Sequence, residues 1–248
     1  MRTITIGEAG FAVADDKDSF WDKVAEGRWE PETLAAIRDL ADERTLLIDI
    51  GGWIGPITML AAALGARVLT FEPDPRAFEL LSANIAANPA LAPRVKLHHV
   101  AVSSAAGRIR LGSPKKPGDS MGSILAAESG AVSWEAEAIT PALIADMAVG
   151  AGRIVLKMDI EGGEYALLPH LGPLLSSRTV AALIAFHPRL LAKAGHSAEA
   201  IEHMTKAAGV ALAAYRLRTL DTAADESTIS QTNNSTILLT RKLQATNR

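Results

Sequence analysis

Apolar positions along the chain fall into two rhythms. Short apolar or alternating runs of strand length occupy 46–50, 67–71, 95–102, 153–161, 179–186, 210–217 and 235–240. Helical spacing occupies the stretches between them, at 56–64, 76–87, 164–175 and 197–208; Phe78, Leu81 and Ile85 share one face of the second of these. Gly65 and Asn88-Pro89 supply the stops. Apolar strands alternating with helices specify an α/β fold, with a mostly parallel central sheet and helices on both faces. Residues 19–24 and 30–40 read as two helices, the second with Pro31 and Glu32 in its first turn, so 1–45 is expected to be an N-terminal helical cap and 46–248 the main domain. An insert at about 107–139 carries two alternating segments, 108–111 and 134–138, as an extra hairpin. They enclose a Gly-, Pro- and Ser-rich stretch, 112–123, expected to act as a lid over the acceptor, with Lys116, Ser120 and Ser123 as substrate candidates. Residues 221–234 read as polar loop and 241–248 as a fraying end.

The first strand ends in Asp49-Ile50-Gly51-Gly52-Trp53-Ile54-Gly55. Glycine at 51 and 52 permits positive φ and lets a ligand lie against the backbone, and Gly55 sits where the entering helix passes close to the strand. The free amides of that helix start are expected to face the ligand. Asp49 at the strand end calls for a cationic or hydrogen-bond-donating partner, for which a ligand is the expected source. The second strand ends in Glu72-Pro73, about twenty residues on, where a ribose-binding acid belongs. A G-x-G-x-x-G dinucleotide fingerprint is missing, and Asp49 would repel a diphosphate, whereas the ammonium and sulfonium of S-adenosylmethionine suit an acid.

A further block, Lys157-Met158-Asp159-Ile160-Glu161-Gly162-Gly163, closes a strand whose alternation puts Lys157, Asp159 and Glu161 on one face. Buried in a doubly wound sheet, Lys157 needs a carboxylate such as Asp159 beside it. The strand at 179–186 runs into His187, at the edge where open α/β sheets bind ligands and with the side chain best matched to accepting a proton near neutrality. His98 and His99 lack a partner at metal-ligand spacing and read as structural or solvated. Trp21 and Trp29 read as staples of the cap. Asn84, mid-helix, reads as surface or cap.

Composition narrows the field. The 248 residues are 48% hydrophobic and carry a net charge near −3, which gives no electrostatic footprint for nucleic acid or an anionic membrane and leaves a small molecule as the expected partner. With no cysteine there are no disulfides, thiolate metal sites or cysteine nucleophiles. No h-region or membrane-length apolar run is present, so a cytoplasmic location is expected.

The segments 48–55, 71–75 with 80–85, 100–103 and 157–164 together resemble the successive motifs of FkbM-type S-adenosylmethionine-dependent methyltransferases, over about 49–187. The resemblance implies a Rossmann-like class I methyltransferase fold and methylation of a hydroxyl on a natural product, sugar or glycolipid. It implies that Asp49, Gly51, Gly52, Trp53 and Gly55 hold the methionine part, Glu72 with Pro73 the ribose, and Ala101, Val102 and Ser103 the adenine. Glu30, in the aromatic-acid-proline stretch this family often carries, would meet the methionine ammonium. Asp159, Glu161 and His187 would face the acceptor, with Lys157 in the same block and His187 or Asp159 taking the proton. The family commonly has an acid two residues before this histidine; here that position is Ala185. Alternatives are an N-methyltransferase, a metal-assisted O-methyltransferase, an NAD-dependent oxidoreductase and a non-catalytic cofactor-binding protein. The metal-assisted version would use Asp159 and Glu161 with Mg²⁺ but needs a third oxygen ligand absent from the pattern, so no metal ligands are assigned.

Overall fold

The computed structural model describes residues 1–14, 17–127, 132–176, 178–220 and 229–241. The chain opens with an antiparallel hairpin, β1 (Arg2–Ile6) and β2 (Ala9–Val13), followed by α1 (Asp18–Ala25) and α2 (Pro31–Leu40). The cap is therefore not helical alone. Ile4 and Ile6 on β1 and Phe11 and Val13 on β2 alternate into the core, a period of two that the polar flanks obscure in the sequence.

Next come β3 (Thr45–Ile50), α3 (Pro56–Ala63), β4 (Arg67–Phe71), α4 (Pro75–Ala86), β5 (Val95–His98) and β6 (Ala101–Val102). The insert supplies β7 (Gly107–Ser113), α5 (Ile124–Ala127) and β8 (Val132–Ile139). The chain continues through α6 (Pro141–Met147), β9 (Arg153–Met158), α7 (Glu164–Leu167), β10 (Thr179–Phe186), α8 (Pro188–Lys193), α9 (Ala198–Ala211), β11 (Tyr215–Thr219) and β12 (Ser235–Arg241).

Seven strands form the central sheet in the order β11-β12-β10-β9-β3-β4-β5, with β12 antiparallel to both its neighbours and the other adjacent pairs parallel. This is a doubly wound Rossmann-like α/β fold. The chain winds outward from β3 through β4 to β5, then returns to place β9 on the other side of β3, so a crevice opens at the carboxyl ends of β3 and β9. Both faces are covered. Leu46, Ile48, Ile50, Leu156 and Met158 pack toward α6, α7 and α9, while Leu47, Val155 and Leu183 pack toward the hairpin and α1 to α4.

Three expectations are corrected. The stretch 95–102 is not one strand: β5 ends at His98, and β6 pairs with β8 in a separate sheet. The helix expected over 164–175 stops after one turn, because Pro169 and Pro173 cannot continue it. The strand expected over 210–217 begins at Tyr215, since α9 runs on through Ala211. The extra hairpin is β7 with β8, in register Arg108↔Glu137 and Leu111↔Trp134. Most of the expected loop over 221–234, and residues 242–248, lie outside the described residues.

Candidate functional site

A cleft lies over the carboxyl ends of β3, β4 and β9. Its walls include Gly51, Gly52 and Trp53 from the glycine loop, Glu72, Pro73 and Asp74 after β4, Ala101 and Val102 of β6, and Lys157, Asp159 and Glu161 after β9; Trp29 and Glu30 of the cap complete it. The three non-glycine residues with left-handed backbone among the described residues, Glu30 (φ 40), Trp53 (φ 48) and Glu161 (φ 55), all line this cleft. Such conformations persist only where the surroundings over-determine them, and they collect at ligand sites.

The glycine loop is compact for internal reasons. At Gly51 (φ +82) a Cβ would stand 1.9 Å from the Asp159 carbonyl oxygen, and at Gly52 it would stand 2.2 Å from Thr70 Oγ1. Only glycine lets β3 and β9 turn away from each other so tightly. The loop amides ahead of α3 are engaged within the chain. Those of Gly51 and Gly52 donate to the Phe71 carbonyl, that of Gly55 to Gly52, and that of Trp53 to Glu72 Oε2.

Glu72 is held at both oxygens, Oε2 by the Trp53 amide at 2.8 Å and Oε1 by the Asp74 amide at 2.7 Å. Burial pushes its carboxyl up to about 7 even though these two amides favour the charge. Asp74, which sequence reasoning passed over, caps α4 through Oδ1 and takes the Gly118 amide at 2.8 Å on Oδ2. Gly118 lies in the insert, and its carbonyl also accepts from Trp53 Nε1 and from Lys17 Nζ. The insert thus closes over the Glu72 end, where Asp119, Ser120 and Ser123 join the lining; Lys116 is exposed and does not.

Asp49 is fully buried, and its partners come from the chain: Thr58 Oγ1 donates to it at 2.7 Å, and Lys157 Nζ stands 3.5 Å away on the adjacent strand. It does not line the cleft, so its expected ligand partner is replaced by Lys157. Burial opposes the ammonium charge, but Asp49, Asp159 and Glu30 more than offset that cost and hold the Lys157 pKa above its ordinary value. Its proton also bonds the Gly51 carbonyl at 2.9 Å.

Beyond Lys157 the acids crowd together. His187 Nε2 is 3.7 Å from Asp159 Oδ1 and 3.6 Å from Glu161 Oε2, while Nδ1 is 3.1 Å from Glu164 Oε1. Glu164, fully buried, also accepts from the amides of Ile160 and Gly162, which fixes it. Burial disfavours the imidazolium, but Glu164, Asp159 and Glu161 outweigh it and raise His187 to about 9. Burial, with Asp159 second, raises both Glu161 and Glu30 to about 7. A second cavity adjoins, lined by Glu30, Glu32, Asp159, Ala185, His187 and Ser235 among others. Glu30 and Asp159 belong to both cavities.

The model of the FkbM methyltransferase domain matches residues 49–208. The chain belongs to the FkbM methyltransferase family. Among solved structures, the methyltransferase FkbM from Methylobacillus flagellatus KT superimposes with a TM-score of 0.51 at 14% identity, over 92% of this chain and 56% of that one. The chain therefore spans little more than half of that relative's length. A TehB-like SAM-dependent methyltransferase from Corynebacterium glutamicum gives 0.48 at 12% identity, over 91% and 95%. A SAM-dependent methyltransferase from Agrobacterium tumefaciens gives 0.46 at 12%, over 98% and 70%. No curated protein sequence matches.

In this FkbM chain the cleft gathers Glu30, Gly51, Gly52, Trp53, Glu72, Pro73, Ala101, Val102, Lys157, Asp159 and Glu161 from the sequence-derived set, with His187 in the adjoining cavity. Asp49, Gly55 and Ser103 stand outside the lining; Gly55 packs on Leu81, and the Ser103 amide bonds Ile139. Trp21 is a staple, fully buried against Phe11 and Phe20. The rings of His98 and His99 stack on Phe71 and Phe78. Asn84 is not on the surface: fully buried, it accepts from the Ala14 amide and donates to the Ile54 carbonyl, tying the end of the hairpin to the glycine loop. Glu164, the partner that orients His187, entered the sequence reading only as the last residue of the 157–164 segment. No helix among the described residues is long and apolar enough to cross a membrane.

Proposed function

We propose that this chain transfers a methyl group from S-adenosylmethionine to a hydroxyl oxygen of a small molecule. The observation that carries the reading is the charge of the cleft. Glu30, Glu72, Asp74, Asp119, Asp159 and Glu161 line it, and its one cationic lining residue among the described residues, Lys157, is enclosed by its own carboxylates. Such a wall gives a diphosphate no free cation to pair with and favours a ligand with positive charge at one end and hydroxyls at the other. When bound, the cofactor supplies an electrophilic methyl on a sulfonium leaving group.

The chain's own residues then divide the work. Glu72, with both oxygens fixed, accepts from the ribose hydroxyls, and Ala101 and Val102 form an apolar wall for the adenine. Gly51 and Gly52 keep the cleft floor flush, and Glu30 meets the cationic methionine end. Asp159, at the junction of the two cavities, takes the acceptor proton. His187 at about 9 already carries a proton near neutrality, so of His187 and Asp159 the aspartate is the better base. Holding acceptor and methyl donor in line is the larger part of the catalysis.

Calorimetric titration with S-adenosylmethionine, its demethylated product and NAD tests the cofactor. Micromolar binding of the first two and none of NAD is expected, and binding of NAD alone overturns the reading. Label transfer from the methyl-labelled cofactor to polyhydroxylated acceptors tests the oxygen. The acidic lining of the second cavity by Glu30, Glu32 and Asp159 favours a second reading, an amine acceptor, and label found on nitrogen alone would decide for it.

A further inference from the structure

Asp159, Glu161 and His187 each turn one potential ligand atom into a common space, and those atoms all lie within 4.8 Å of one another. We propose that this triad is a binding site for a divalent metal ion, held by one oxygen from each carboxylate and by the imidazole Nε2. Four independent features of the structure converge on it.

The spacing fits. Donors about 2.0–2.3 Å from one ion sit roughly 3.0–3.7 Å apart. His187 Nε2 stands 3.7 Å from Asp159 Oδ1 and 3.6 Å from Glu161 Oε2, too far for hydrogen bonds. The imidazole is aimed. His187, only 9% exposed, has Nδ1 against Glu164 Oε1 at 3.1 Å, and Glu164 is itself pinned by the amides of Ile160 and Gly162. The carboxylate behind the ring keeps the Nδ1 proton, so Nε2 is the nitrogen that gives up its proton to a bound ion, the arrangement that accompanies metal-bound histidine. The oxygen is waiting. Asp159 Oδ1 is buried with no hydrogen-bond partner, a costly state for a carboxylate unless a ligand satisfies it. The backbone is bent to suit. Glu161 (φ 55) and Gly162 (φ 104) are successive left-handed residues that bring the Glu161 carboxylate back beside Asp159, and a Cβ at Gly162 would stand 2.3 Å from Leu125 Cδ1.

Two carboxylates and an imidazole suit Mn²⁺ or a similar divalent ion better than Mg²⁺, which prefers oxygen alone. This also supplies the third donor that the sequence did not reveal, as a nitrogen in place of the oxygen sought. Since Asp159 and His187 both border the second cavity, an ion there would polarise a hydroxyl entering from that side.

The test uses the full chain, stripped with a chelator and titrated with MnCl₂ while free Mn²⁺ is followed by electron paramagnetic resonance. No cofactor or acceptor is present, so failure of methyl transfer cannot be confused with failure of this site. One Mn²⁺ per chain is expected, weakened at least tenfold by Asp159→Asn and by Glu161→Gln and unchanged by Glu135→Gln on the outer hairpin, with circular dichroism confirming each fold. A readout free of variants is the imidazole proton spectrum, in which Mn²⁺ should broaden His187 before His98, His99 and His170. Absence of stoichiometric binding at millimolar Mn²⁺, survival of binding in both variants, or broadening without preference for His187 overturns the site and leaves His187 as the counter-ion of the carboxylates.

Discussion

The two ends of the cleft use the same kind of residue to opposite purpose. At one end Glu72 stands with each oxygen fixed by a backbone amide, under a lid whose Gly118 is tied to Asp74, Trp53 and Lys17. At the other, Glu30, Asp159 and Glu161 press on one another around His187, and an Asp159 oxygen is left without a partner. The first end presents a carboxylate held in one geometry. The second crowds three acids around one histidine. Lys157 stands between them, and its removal should have the largest effect. In Lys157→Met the Asp49 carboxylate loses its cation while remaining buried at 0% exposure, a loss expected to cost about 3–5 kcal/mol in urea unfolding. A cost under about 1 kcal/mol would mean that Asp49 is protonated in the fold and that Lys157 does not separate the two ends electrostatically.

Glu72→Ala comes next. Losing a charged acceptor to two hydroxyls is worth about 2–3 kcal/mol, so calorimetry should show about a 100-fold drop in affinity for S-adenosylmethionine. Glu161→Gln should leave that affinity within a few-fold and lower turnover instead. Equal losses of affinity in both variants would erase the distinction between a cofactor end and an acceptor end.

The pH dependence sharpens the same contrast. Burial holds Glu72 at about 7 in the free protein. Hydroxyl donors favour the ionised carboxylate, so binding lowers its pKa, and affinity should be flat above pH 7 and fall as pH drops below it. The slope approaches tenfold per unit until the bound-state pKa is reached. Glu72→Gln should make the profile between pH 6 and 8 shallower, leaving the part contributed by Glu30, also raised to about 7, at the other end. An unchanged slope in that variant would place the whole response at the other end.

The first end was legible in the sequence and the second only in part, for a physical reason. Glu72, Gly51 and Gly52 belong to one strand-loop-helix-strand unit, β3-α3-β4, so spacing alone places them, and the parallel strands around them announce themselves by apolar runs. The triad joins a turn after β9 to the end of β10, and its geometry depends on Glu164, on the left-handed Glu161 and on small Ala185 beside the second cavity. None of these leaves a periodic trace. Asp49 was assigned a ligand because its true partner, Lys157, is a neighbour only through β3–β9 register. The N-terminal hairpin escaped because five-residue strands around Gly7 are too short to stand out from a polar segment.

The smallest expected effect concerns the lid. Trp134 on β8 donates from Nε1 to the Pro73 carbonyl at 3.2 Å, fastening the insert's sheet beside Glu72. Trp134→Phe keeps a ring in place and removes that bond, worth about 1 kcal/mol. Amide exchange over 112–123 should speed up several-fold, and the cofactor should dissociate faster by a similar factor, with little change in its association rate. Because the bond lies at the Glu72 end, Mn²⁺ binding at Asp159, Glu161 and His187 should be the same in Trp134→Phe as in the parent chain. A matching loss there would mean that the lid couples the two ends and that the cleft opens as one unit.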